Sequence, residues 1–162
     1  MRIITYISIT LFVLGAINSG CSDQPKLTTL ETELLSALIV NFQTIAQGSV
    51  NPDQPENTLY LLKHIAHIKG TITASLAYAS VINSEGRIVA HNMLGDQYSV
   101  GQKLEDETTK KVIAYHDPLK PYFQFIASEN NATLIDISLP VLPEEEGSIP
   151  EGYVRIGIYK HN

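Results

Sequence analysis

The chain has 162 residues, with 11 basic and 17 acidic side chains, five histidines and a formal net charge of −6. That balance sets it against nucleic acid, whose binding rests on phosphate neutralisation, and against a basic membrane-binding face. A single cysteine excludes an intrachain disulfide and thiolate-ligated structural zinc, so the core must hold the fold by itself.

Residues 1–20 read as a targeting segment and are set aside from fold reasoning. Arg2 gives the positive start, and Ile3 to Ile17 form an apolar run of about 15 residues, short of the roughly 20 that a membrane-spanning helix needs. Ser19 and Gly20 then precede Cys21. This arrangement resembles a bacterial lipoprotein cleavage site, which implies lipid on the Cys21 thiol. It departs from the usual pattern in placing Asn18 three residues before the cysteine, with apolar Ile17 one place further out. Ser22 stands where an Asp would favour retention in the inner membrane, so the resemblance points to the outer one. Ordinary secretion with a free thiol, or an uncleaved anchor, are the alternatives. Without residues 1–20 the chain keeps 142 residues, 10 basic and 17 acidic side chains, enough for one domain with its own core. Residues 21–28 then make a lipidated cysteine and a short polar tether.

Thr28 to Glu31 has the form of a capping box. It opens a helix with Leu30, Leu34, Leu38 and Ile45 on one side, Leu35, Ile39 and Phe42 beside them, and Gly48 as its end. Residues 49–57 hold Pro52 and Pro55 and read as a loop. Asp53 and Glu56 start a second helix, with Leu61, Leu62, Ile65 and Ile68 on its apolar side and Gly70 as a stop. From Thr73 to Asn83 the 3.6 periodicity gives way to small and β-favouring residues. Asn83-Ser84-Glu85-Gly86 suits a type I turn, and Arg87 to His91 makes the partner strand. After a loop with Gly95 and Gly101, Glu105 to Tyr115 reads as a short helix, acidic first and lysine-bearing later as the helix dipole favours. Three strands follow, at Tyr122 to Ala127, Thr133 to Val141 and Tyr153 to Tyr159. The Asn130-Asn131 turn and an acidic connection at 143–147 separate them.

Short connections favour an antiparallel sheet, giving an α+β fold. Thr133, Ile135, Ile137, Leu139 and Val141 share one face with Val154, Ile156 and Ile158, an apolar row that the long N-terminal helix suits as cover. The other face carries Asp136, Ser138, Tyr153, Arg155 and Tyr159. It is too polar for a closed core and suited to a lined cavity.

In its order of elements from about residue 30 to 160, the chain resembles the Cache family, the PAS-like sensor domains of bacterial receptors outside the membrane. The resemblance is sharpest at Ala79 to His91, at Asp136-Ile137-Ser138-Leu139-Pro140-Val141 and at Gly152-Tyr153-Val154-Arg155-Ile156-Gly157. It implies a five-stranded antiparallel sheet with a long N-terminal helix on one face. A ligand pocket would lie on the other, under the segment joining the second and third strands. Residues 29–162 would form that single domain. Cache domains usually sit between two membrane spans, whereas this chain stops at Asn162, so a signal is expected to pass through a membrane signalling partner. Dicarboxylate-binding relatives place an arginine near the histidine of the second strand. Here Ile88, Val89 and Ala90 precede His91, which argues against a polycarboxylate.

The candidate ligand-binding residues are Tyr78, His91, Tyr98, Tyr122, Asp136 and Arg155. His91, which titrates near neutrality, either meets a ligand or caps its strand end by bonding to backbone. Arg155 and Asp136 either clamp the carboxylate and amine of a small zwitterion or pair with each other across the sheet. The tyrosines either line a pocket, offering apolar walls with hydroxyl handles, or simply pack. His64 and His67, three apart on the second helix, lack assignable further metal ligands and read as a solvated face, as Glu144 to Glu146 read as a solvated hairpin tip. There is no Gly-x-Ser-x-Gly turn, no paired-carboxylate setting and no phosphate-binding loop, and Val100-Gly101-Gln102-Lys103 lacks the P-loop spacing. The expectation is therefore no enzyme and no cofactor. It is a lipid-anchored periplasmic sensor domain in the bacterial cell envelope, binding a small polar ligand, with a homodimer through the first helix as a further possibility. The alternative is a ligand-free envelope scaffold or protein-interaction module. The same elements are loosely similar to roadblock-type scaffolds, a cytoplasmic group that the targeting segment argues against.

Overall fold

The computed structural model describes residues 27–71, 76–93, 98–127, 132–143 and 149–161. Cys21, the Asn130-Asn131 turn and Glu144 to Glu146 lie outside them. The elements run α1 (Thr29–Ala46), α2 (Pro55–Thr71), β1 (Leu76–Asn83), β2 (Ile88–His91), α3 (Glu107–Ile113), β3 (Tyr122–Ala127), β4 (Ala132–Val141) and β5 (Gly152–His161). The five strands form one antiparallel sheet in the order β2-β1-β5-β4-β3. The class is α+β, with three helices among the described residues.

α1 opens on a capping box: the Thr28 side chain accepts from the Glu31 amide, and the Glu31 carboxylate accepts from the Thr28 amide at 2.7 Å. Glu31 also accepts from Lys160 of β5 at 2.8 Å, tying the helix start to the end of the last strand. These bonds hold its carboxyl at about 2, well below the usual 4.5, with the Lys160 bond the largest cause. At the other end Gly48, with φ of 69°, takes the left-handed conformation that glycine tolerates best, and its amide donates to the Glu151 carboxylate at 2.9 Å.

The larger core gathers Ile39, Phe42 and Ala46 from α1 and Leu61, Ile65 and Ile68 from α2. It joins them to Ala79, Val81, Ile135, Ile137, Leu139, Val154 and Ile156 of the sheet. The register pairs Ala79 with Ile156, Val81 with Val154 and Ile137 with Ile156, so these residues form continuous rows on one face, as period-two alternation requires. The buried side of α1 is therefore the Ile39–Phe42 side. Leu30 and Leu34 are 64% and 62% exposed, although the sequence groups them with Leu38 as one apolar row. α2 continues through Gly70 to Thr71 where the sequence suggested a stop, and α3 is shorter at each end than its acidic-to-basic pattern implied.

The opposite side of the sheet holds a smaller cluster of Ile82, Ile88, Leu104, Val112 and Tyr153. It forms where the chain turns at residues 83–86: the Gly86 amide donates to the Asn83 carbonyl, and the Asn83 side chain accepts from the amides of Glu85 and Arg87. Residues 101–104 then run beside 86–88. Gly101 donates to Ile88, Ile88 to Gln102, and Leu104 to Gly86. This lattice brings Leu104, and after it Asp106 and α3, onto the polar side of the sheet. Gln124 bonds the Thr108 carbonyl at 3.1 Å and the Tyr153 hydroxyl bonds the Ile113 carbonyl at 2.6 Å, fixing α3 at both ends.

Candidate functional site

Arg155 is the centre of the polar side. Its backbone lies in β5 between Ser80 of β1 and Ser138 of β4, and strand alternation turns its side chain toward α3. One terminal nitrogen donates to the Thr109 hydroxyl at 2.8 Å; the other donates to the Asp136 carboxylate and, at 3.4 Å, to the Tyr78 hydroxyl. The guanidinium also stands 5.7 Å from the centroid of the Tyr78 ring, within range of a cation–π contact. Arg155 is 4% exposed and Asp136 fully buried. Burial works against the arginine's charge, but Asp136 and Tyr78 outweigh it and hold the guanidinium firmly protonated. Burial pushes the Tyr78 hydroxyl well above its ordinary value.

The cluster is only partly satisfied. Ser80 Oγ, Ser138 Oγ, Asp136 Oδ1 and Arg155 Nε are buried without a hydrogen-bond partner. Such atoms are uncommon in native interiors and carry a desolvation cost.

Beside the cluster lies a cavity of about 420 Å³, within the size range of small-molecule sites. Tyr78, Arg155 and Tyr159 line it from the sheet and Tyr98 and Leu104 from the loop before α3, with Asp106 at the helix start. The Asp106 carboxylate accepts from the amide of Thr109 at 2.9 Å and from its hydroxyl at 2.7 Å. Partial burial raises its pKa, but these bonds and the charge of Arg155 outweigh that and keep it below the ordinary value. The hydroxyl of Thr109 thus links Asp106 to Arg155.

Of the residues the sequence singled out, Tyr78, Tyr98 and Arg155 come together on this cavity. Asp136 sits behind Arg155 and pairs with it. His91 ends β2 with Nδ1 accepting from the Met93 amide at 3.1 Å, its ring 6.3 Å from that of Tyr98 in an edge-on arrangement. It is outside the cavity wall, and burial lowers its pKa. Tyr122 stacks on Tyr115 with ring centroids 4.8 Å apart, also away from the cavity. His64 meets Tyr60 edge to face, and no group of three metal-ligating side chains forms among the described residues. Sequence reasoning missed Asp106 and Thr109. The signal was present in Asp106-Glu107-Thr108-Thr109, where an Asp before a short helix is a natural N-cap.

Comparison with protein-family models and with curated proteins gave no match to this chain.

Proposed function

We propose that this chain is a lipid-anchored extracytoplasmic sensor domain of the Cache type, binding a small polar molecule and reporting it to a membrane signalling partner. In this reading α1 covers one face of the sheet, the ligand occupies the other beside α3, and lipid on Cys21 holds the domain at the outer membrane.

The observation that carries it is the cavity of about 420 Å³ walled by Tyr78, Tyr98 and Arg155. A buried guanidinium with one unsatisfied nitrogen, next to a half-open cavity with aromatic walls, is costly for a fold that needs only a core. Its retention makes sense where a ligand uses the site. Binding would shift a membrane partner only by distinguishing two arrangements of the domain. The link from Arg155 through Thr109 to Asp106 gives the ligand a mechanical connection to α3.

A ligand-free envelope scaffold is the second reading. It draws on the exposed Leu30 and Leu34 of α1 and on the packed half of the polar side around Tyr153. A thermal-shift screen of the purified domain against amino acids, carboxylates, amines and purines separates the two. A ligand at 100 times its dissociation constant adds about 2.7 kcal/mol, a rise of several degrees in Tm, and Tyr98→Ala should diminish it. A flat response to all four classes, together with a stable complex recovered from envelope membranes, would favour the scaffold.

A further inference from the structure

We infer that the ligand of this cavity is an organic cation, an amine or quaternary ammonium with an apolar body, and not a carboxylate. The inference rests on the small-molecule reading above and specifies its substrate class.

The obvious anion-binding group is already used. Both terminal nitrogens of Arg155 are engaged, by Asp136 and Tyr78 on one and by Thr109 on the other. The third nitrogen is buried in the sheet, and the side chain is 4% exposed. A carboxylate entering the cavity meets a guanidinium whose charge is neutralised at close range by Asp136. It would have to displace Tyr78 or Thr109 to form the forked pair that makes arginine a strong carboxylate receptor.

With Arg155 and Asp136 cancelling, the charge left at the cavity is that of Asp106. Thr109 and Arg155 hold it ionised. Among the described residues, Arg155 and Asp106 are the charged groups in the wall, and no lysine joins them. The rest of the wall suits the same ligand. Tyr78, Tyr98 and Tyr159 present aromatic rings, whose faces attract cations, and Met93, Leu104 and Leu134 supply apolar surface. Two carboxylates, one guanidinium and three tyrosines leave a site negative by one charge, with aromatic rings in its wall.

The test uses a pair with the same phenethyl body and opposite charge, phenethylamine and 3-phenylpropionate, with choline as a compact cation, each titrated calorimetrically into the purified protein at neutral pH. Binding of phenethylamine or choline, with 3-phenylpropionate at least tenfold weaker, supports the inference. Asp106→Asn keeps the helix cap, because Asn caps as well as Asp, and should weaken the cation about tenfold or more by removing a charge-assisted contact. Tyr159→Leu, at a partly exposed position, should weaken the cation further than it weakens any carboxylate. If 3-phenylpropionate binds better than phenethylamine, the charge assignment is overturned while the small-molecule reading stands. If none of the three binds, and amino acids and purines also fail, both fall together.

Discussion

The Arg155–Asp136 pair lends itself to a double-mutant cycle whose outcome the structure fixes in advance. Both side chains are sealed from solvent, at 4% and 0% exposure. Asp136→Leu leaves a guanidinium inside the protein with only the hydroxyls of Thr109 and Tyr78 as acceptors. Arg155→Met leaves a buried carboxylate whose other oxygen already lacks a partner. Each single change strands one charge and should cost about 3–5 kcal/mol. Additivity would make the double variant roughly 6–10 kcal/mol less stable, which would consume most of the stability of a typical domain. The double Arg155→Met, Asp136→Leu strands no charge and puts apolar atoms beside Leu134, Ile126 and Leu104, which line the adjoining cavity. It should therefore come out near neutral, or up to about 4 kcal/mol more stable than the parent. Urea denaturation with fitted m-values for the four proteins measures the coupling. A double variant as unstable as the sum of the singles would refute the reasoning, and would mean that Arg155 stabilises chiefly by bonding Thr109 and holding α3. A stable double variant that no longer binds ligand would show the pair to be retained for recognition and not for folding.

Gly157→Ala should cost about 1–3 kcal/mol by overpacking, because a Cβ there would fall 2.7 Å from Cδ1 and 2.8 Å from Cζ of the Tyr78 ring. Denaturation midpoints measure this, and an unchanged midpoint would mean the ring does not lie on the strand. Thr28→Ala should cost about 0.5–2 kcal/mol through the lost cap, read from Tm. Glu31 has its pKa lowered to about 2 from 4.5, so its stabilisation is complete above pH 4.5 and is lost as pH falls through 2. Glu31→Gln should flatten the stability profile across that window, and an unaltered slope would contradict the Lys160 pairing. His91 has a pKa depressed below 6.5 by burial, so the unfolded chain takes up its proton first and stability declines as pH drops through 6.5. Replacing His91 with Gln should reduce that decline in a pH series of melts, since protonation of Nδ1 would break the bond from Met93.

The elements were legible where one local rule acts alone. The capping box at Thr28 and Glu31, the turn closed by Gly86 and the alternation of Ile135, Ile137, Leu139 and Val141 are short-range patterns, and each appears as the sequence implied. The rotation of α1 was less legible. Its apolar residues span more than one stripe, and the choice that buries Ile39 and Phe42 while exposing Leu30 and Leu34 belongs to the sheet and to α2, not to helical periodicity. Gly70 failed as a stop for a similar reason. A glycine costs a helix only about 1 kcal/mol relative to Ala, which is too little to end one without help from its surroundings.

At the candidate site the sequence put two charged residues on one side of the sheet and left open which of two uses they have. Arg155 and Asp136 sit on neighbouring strands with matching alternation, so alternation placed them on one face, and their charges made both a ligand clamp and a mutual pair reasonable. What decided between them is the side-chain diagonal: Asp136 is in register with Gly157, two residues from Arg155, and Gly157 has no side chain to block the reach across. The same glycine lets the Tyr78 ring settle against the strand and come within bonding distance of the guanidinium. A position that reads in sequence as a mere weakness in a strand thus gathers Tyr78, Arg155 and Asp136 into one buried group. With the arginine committed in this way, the chemistry of the cavity passes to Asp106, a residue whose local pattern advertises only a helix start.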